Sequence, residues 1–278
     1  MRNLCAGLVC LLFSMLPAIA DEWDEAVLAF DAQRYDEVLE LLAPLANPAN
    51  VATQLLLFDT YTRGELALTD ETARFEWARR GAKLGIAPAQ EHLAQYYLQG
   101  NGVAVDEARA AHWFELAADQ WYAPAVYNFG VLTLNGQGVP ANPDYAVGLF
   151  LRAAELNEPY ALYVLGGLYL EGIYVDYDLN SALYYLSQAA HFGQRRAMAL
   201  LGIVIQDKPN DPNRLLKSAF HFRRALASGC SDVAELTAQA IQRLSPDEVE
   251  MLEYNLVAWQ PDMAPHEMGL PPGPCLSQ

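Results

Sequence analysis

The stretch Leu98-Gln99-Gly100-Asn101-Gly102-Val103-Ala104-Val105-Asp106 carries two glycines one residue apart and then a carboxylate. These are residue types from which phosphate-cradling loops are built, because backbone N–H groups can close on an anion where no Cβ intervenes. That chemistry needs the glycines to follow a strand and open a helix. Here the stretch lies between two helical patterns and returns 36 residues on as LNGQGVPAN (Leu134 to Asn142) and again as LEGIYVDYD (Leu170 to Asp178). A loop that returns at a fixed period is a joint of a repeat and not a nucleotide site. The third copy has Tyr174 where the others have Gly102 and Gly138. A side chain there disfavours positive φ, so the loop from Gly172 to Asp178 is expected to turn differently or to carry strain.

Other chemistry is not signalled. Ser-x-x-Lys, Gly-x-Ser-x-Gly, His-Glu-x-x-His and Cys-x-x-Cys are all missing from the sequence, and His92, His112, His191, His221 and His266 lack metal-ligand spacing. The expectation is a protein that is not an enzyme, with no catalytic residue, no metal and no cofactor. The net charge of −17 argues against nucleic acid as a partner, since phosphate contacts need a basic surface.

Residues 1–20 read as a cleavable signal peptide. Arg2 is followed by the apolar run Leu4 to Leu16, then Pro17 and the small-x-small site Ala18-Ile19-Ala20. The run is too short to span a bilayer, and no later stretch is long and apolar enough. Cleavage after Ala20 predicts a periplasmic or secreted chain with no integral membrane segment. Of the four cysteines only Cys230 and Cys275 then remain, in an oxidising compartment. They form either one disulfide or two free thiols.

Stepping the chain by 36 residues aligns Gly100/Gly136/Gly172, Ala110/Ala146/Ala182, Phe114/Phe150 and the pairs Ala117-Ala118, Ala153-Ala154 and Ala189-Ala190. Each copy reads as two helices. The first is closed by glycine, which takes the left-handed conformation. The second is opened by a capping column at Asp70, Asp106, Asn142 and Asp178. The fold class predicted is all-α, a right-handed solenoid of about five 36-residue helix-turn-helix repeats over residues 51–230. Flanking it are an N-terminal helical hairpin cap at 21–50, C-terminal capping helices at 231–259 and a Pro-rich tail at 260–278. In the hairpin, helices are expected at Glu25 to Ala32 and Tyr35 to Ala46, and Ser245 to Glu248 reads as a capping box opening a helix to about Ala258. The fifth repeat has Lys208-Pro-Asn-Asp211 in place of the glycine loop, and its geometry is left open.

These residues resemble the Sel-one-like repeat family of the tetratricopeptide-like superfamily, whose pattern is A-x-A…L-G-x-x-Y-x-x-G-x-G-V-x-x-D…A-x-x-W…A-A-x-x-G. The copy at 87–122 follows it through Ala89, Leu93, Tyr97, Gly100, Gly102, Val103, Asp106, Ala110, Trp113, Ala117 and Ala118. The resemblance implies a protein-protein interaction scaffold or adaptor, as in exported members that regulate envelope signalling or polysaccharide secretion. Two alternatives stay open: a cell-wall- or polysaccharide-binding, weakly β-lactam-hydrolysing repeat protein, and a secreted host-interaction factor.

In such solenoids the first helix of each repeat lines a groove. The register then places Leu55, Glu91, Tyr127, Tyr163 and Ala199 in one groove column, and Gln95 and Gly167 in a second. Tyr127 and Tyr163 either present large amphipathic rings to a partner or fill the core, whereas Tyr97, Tyr169 and Tyr185 are expected in the core. Tyr174 and Tyr177 fall on the rim of this tyrosine-rich span. Arg195, Arg196, Arg214, Lys217, Arg223 and Arg224 form a basic stretch in an acidic chain. It is either a dock for an acidic partner, glycan or lipid head group, or a helix face neutralised by the acidic end helices.

Overall fold

The computed structural model describes residues 17–46, 51–66, 68, 70–208, 210–258 and 275. The expected signal peptide up to residue 16 and, Cys275 apart, the Pro-rich tail with His266 lie outside the described residues. The described residues form fourteen α-helices and two short 3-10 turns, with no strand among them. The chain divides into two compact units, Met1–Ala141 and Asn142–Gln278. The first unit holds α1 (Pro17–Asp31), α2 (Tyr35–Leu42), α3 (Val51–Leu66), α4 (Glu71–Lys83), α5 (Ala87–Gln99), α6 (Glu107–Asp119) and α7 (Ala123–Asn135). The second holds α8 (Pro143–Glu155), α9 (Pro159–Glu171), α10 (Leu179–His191), α11 (Arg195–Gln206), α12 (Arg214–Ala227), α13 (Ala234–Gln242) and α14 (Pro246–Ala258). The helix expected from Glu25 already starts at Pro17, which is its first residue. A ring without an N–H is tolerated in a helix's first turn, where that donor has no partner.

The capping column behaves as its residue types require. Carboxylate or amide oxygens of Asp70, Asp106, Asn142 and Asp178 accept from the backbone N–H groups of Ala73, Arg109, Tyr145 and Asn180 at 2.8, 2.9, 3.1 and 3.0 Å. Each such cap is worth about 1 kcal/mol. Gly100, Gly136 and Gly172 end α5, α7 and α9 at φ of 77°, 71° and 68°. The fifth repeat departs from this. Asp207 follows α11 at φ −84°, and Asn213 opens α12 without a side-chain cap.

Within the second unit each hairpin sets a glycine against a large apolar side chain twenty residues on. A Cβ on Gly166 would lie 2.6 Å from Leu186 Cγ, and one on Gly202 would lie 2.5 Å from the Phe222 ring. Leu186 and Phe222 are fully buried. The missing side chain lets α9 meet α10, and α11 meet α12, at close range.

The expected capping box opens α14, and of the two states left open for the cysteines the bridged one is found. Ser245 Oγ accepts from the Glu248 N–H at 3.3 Å, and the Glu248 carboxylate accepts from the Ser245 N–H at 2.8 Å. Cys230 and Cys275 are joined by a disulfide, with Cα atoms 5.4 Å apart. The Cys275 N–H donates to the Asp232 carboxylate at 2.7 Å.

Gly202→Val forces a branched side chain onto the Phe222 ring and is expected to cost about 1–3 kcal/mol by overpacking. Gly148, on the exposed side of α8, has nothing within 4 Å of the point a Cβ would occupy. Gly148→Ala is expected to add about 0.5–1 kcal/mol of helix propensity. Urea unfolding of the two variants checks both signs.

Candidate protein-binding surface

In the first unit the expected groove column lies open at Leu55, which is 65% exposed, but not at Glu91. Glu91 is only 3% exposed, because α5 turns this face toward α3 and α7. Its Oε1 accepts from the Gln95 amide on the same helix and from the Asn128 amide of α7 at 2.9 Å. Its Oε2 stands 3.6 Å from Nε2 of His92. His92 Nδ1 is 2.8 Å from Glu65 Oε2 and 2.9 Å from the Tyr61 hydroxyl, both on α3. When protonated, the imidazole faces carboxylates from two helices. Glu91, expected to face a partner, instead joins α5 to α7 while its neighbour His92 joins α5 to α3, and Gln95 supports Glu91 from the same helix. A buried carboxylate needs these donors, and satisfying it removes it from the surface. Tyr127 is half-buried and already engaged within the chain.

In the second unit Tyr163 is half-buried, and Gly167 has nothing within 4 Å of where a Cβ would be. Tyr169 and Tyr185 stack at 5.6 Å, and Tyr184 meets Tyr185 edge-on at 5.2 Å. Tyr169 and Tyr185 are half-buried, less enclosed than expected, whereas Tyr97 in the first unit is buried. The basic stretch is not one open cationic surface. Arg224 is buried, donates to the Ala190 carbonyl at 2.8 Å and lies over the Phe220 ring. Arg223 pairs with Glu253 of α14 at 3.2 Å, and Lys217 with Asp211 at 2.7 Å. Arg195, Arg196 and Arg214 are half-buried. Arg223 and Lys217 thus meet neighbouring acids, and Arg224 is spent on a backbone oxygen inside the fold.

What stands out instead is a pair of aromatics in glycine positions. Every second helix from α4 to α12 ends on the same turn, at Gly85, Trp121, Asn157, Gly193 and Gly229, all with φ between 61° and 96°. In each, the next residue donates back to a carbonyl five positions earlier, as Tyr122 does to Ala117 at 3.3 Å. The loops after α5, α7 and α9 hold Gly102, Gly138 and Tyr174 at φ 69°, 70° and 60°. Tyr174 thus keeps the turn of its glycine counterparts, and the strained alternative is the one realised. A non-glycine residue in this region costs about 1–2 kcal/mol. Asn tolerates it because its short polar side chain can hydrogen-bond locally. At the two aromatics the cost is not offset by burial, for Trp121 is 58% exposed and Tyr174 53%. Sequence reasoning does not single out Trp121. Its signal is there all the same, as the residue standing in the glycine column of the Ala-Ala-x-x-Gly ending.

Among the described residues no three His, Cys, Asp or Glu side chains converge as metal ligands, and no helix is long and apolar enough to cross a membrane.

Two outcomes follow from this geometry. Tyr174→Gly is expected to raise stability by about 1 kcal/mol by relieving the left-handed strain, while Tyr174→Ala, which keeps a Cβ, is not. Thermal unfolding of the pair reads the difference. Burial penalises the His92 imidazolium, but the Glu65 hydrogen bond and the charges of Glu65 and Glu91 together raise its pKa above the ordinary 6.5. Glu91 is raised as well, chiefly by burial. Both folded values lie above the unfolded ones, so the cluster's stabilisation is whole at low pH and fades as pH rises through the His92 value. The stability gap between the native chain and His92→Gln should therefore shrink from pH ~6 to ~9. A gap that stays level across this window would contradict the bridging imidazolium.

The Sel1 repeat family model matches residues 87–120, 123–158 and 159–191. The chain is similar to the crystal structure of a Sel1 repeat protein from Oxalobacter formigenes, at 28% identity and a TM-score of 0.58. That match covers 73% of this chain and 60% of the other, so the chain spans about 60% of the length of that protein. It is also similar to an immunity protein from Pseudomonas aeruginosa, at 22% identity and a TM-score of 0.49 over 78% of this chain and 89% of that one. No curated protein matches the sequence. The 36-residue register, the repeated caps, the family match and the Oxalobacter structure converge on one statement: residues 87–191 of this all-α chain carry three Sel1 repeats, in a fold of the solenoid class.

Proposed function

We propose that this chain is an exported scaffold that binds another protein in the bacterial envelope, and that it acts by binding and not by catalysis. The observation that carries the reading is the exposure of Trp121 and Tyr174 at positive φ. Large aromatic side chains with a polar edge are favoured at protein interfaces, where their burial contributes disproportionately. A turn that glycine would form without strain presents such a ring to solvent in each unit. Export is supported by the sequence pattern of residues 1–20 and by the disulfide between Cys230 and Cys275, a bond that persists in oxidising compartments.

A photo-crosslinking amino acid placed at position 121 or 174 tests the binding reading. Both probes should trap a defined protein in envelope fractions. Trp121→Gly and Tyr174→Gly should each weaken capture of that protein by roughly tenfold or more, while leaving the helical content intact. Capture unchanged in both glycine variants would overturn the assignment. N-terminal sequencing of the protein recovered from the periplasm should begin at Asp21; a full-length cytosolic product would overturn the export reading.

A further inference from the structure

We infer that the second unit docks a basic, Lys- or Arg-bearing segment of a partner protein on the face formed by the α9–α10 loop and the first turn of α8. The inference rests on the scaffold reading above and specifies the partner's chemistry.

The face is assembled by the repeat register. In the first unit, a Cβ on Gly102 would lie 3.3 Å from the Glu71 carbonyl oxygen at the start of α4. One on Gly138 would lie 2.1 Å from the Glu107 carbonyl oxygen at the start of α6. Each loop therefore sits on the first turn of the preceding second helix. The same register carries position 174 to residues 143 and 144, at the start of α8. The Gly138 copy leaves no room for a side chain, whereas the third copy holds a tyrosine at a similar φ. That loop consequently leaves space that its counterpart lacks.

The exposed side chains there are aromatic and acidic, with Ile173 beside them. Tyr145 is 51% exposed, Tyr174 53% and Tyr177 62%. Asp144, Glu171 and Asp176 are exposed beside them in sequence and register. Between Asn142 and His191 there are six carboxylates against Arg152 alone. Anionic glycans, phosphorylated ligands and acidic proteins are repelled by such a field. A guanidinium or ammonium group finds both of its preferred partners, a ring face and a carboxylate. Tyr174 is held outward by a backbone conformation that its own burial does not offset, and a contact made only with a partner supplies the missing compensation.

Fluorescence anisotropy with a labelled, repeating Lys-Pro-Arg-Ser peptide tests this on the full chain. Its controls are the same peptide with Gln, or with Glu, in place of the basic residues, and a neutral oligosaccharide. The basic peptide should bind, weaken as salt rises, and exceed every control. The triple variant Tyr145→Ser, Tyr174→Gly, Tyr177→Ser alters no charge. It should lower affinity about tenfold or more. Circular dichroism on the same variant guards against unfolding, and Tyr174→Gly alone provides a single change expected to stabilise the fold. If the triple variant binds as the native chain does, the attraction is diffuse, due to the net charge of −17, and the inference fails. Tighter or salt-independent binding of the neutral peptide or oligosaccharide also overturns it, as does no binding at all. Should the crosslinked partner's contact segment prove acidic or uncharged, the scaffold function stands and the basic-segment inference falls.

Discussion

Every repeat of this chain turns on residues held at positive φ, and the rest of the structure depends on those turns. In the repeats that keep the glycine loop, the left-handed region lets the chain reverse within a few residues, whereas the fifth repeat reverses without it after Asp207 at φ −84°. Three columns at 36-residue spacing do so: Gly100, Gly136 and Gly172; then Gly102, Gly138 and Tyr174; then Gly85, Trp121, Asn157, Gly193 and Gly229. Because the turns are equivalent, the helices they join present equivalent faces. The capping column of Asp70, Asp106, Asn142 and Asp178 and the buried column of Phe114, Phe150, Leu186 and Phe222 follow from that equivalence.

Conformational freedom at the turns is matched by lack of freedom between the helices. Gly166 and Gly202 sit where Leu186 and Phe222 leave no space for a Cβ, so their role is close approach and not backbone flexibility. The first unit adds a polar fastening, with Glu91 and His92 of α5 reaching Glu65 on α3 and Asn128 on α7. Such a network is specific because its members cannot shift without leaving a buried charge unanswered. The second unit is secured differently, by the Arg223–Glu253 pair between α12 and α14 and by the disulfide that returns the chain to Cys230.

Features that repeat are legible in the sequence, because a period averages over local ambiguity. The helix-turn-helix organisation, the capping oxygens, the glycine ends of α5, α7 and α9 and the Ser245–Glu248 box can all be read without coordinates. Features that occur once cannot. Glu91 occupies a groove position in the register, yet its burial depends on Asn128, 37 residues away, offering an amide at the right height. Arg224 reads as one of six cations in a basic stretch, and only the nearby Ala190 carbonyl shows why it lies inside. Trp121 escapes sequence reasoning because tryptophan carries no turn propensity. Its conformation is imposed by the helices on either side and not chosen by the residue.

The distinction between repeated and singular features also separates structure from function in this fold. A residue that obeys the register serves the register, and its type follows from packing or turning. A residue that breaks the register while leaving the turn intact must be explained by something other than the turn. Tyr174 is such a residue, since its φ of 60° stands close to the 69° and 70° of Gly102 and Gly138. Trp121 is the second, in a column otherwise held by Gly and Asn. Each leaves more than half of its surface in water. The groove-lining positions, which a solenoid comparison brings forward first, are in the first unit partly used up by Glu91 and its donors. On the proposed scaffold function, a binding surface is therefore better sought at the turns, where Trp121 and Tyr174 combine positive φ with exposure.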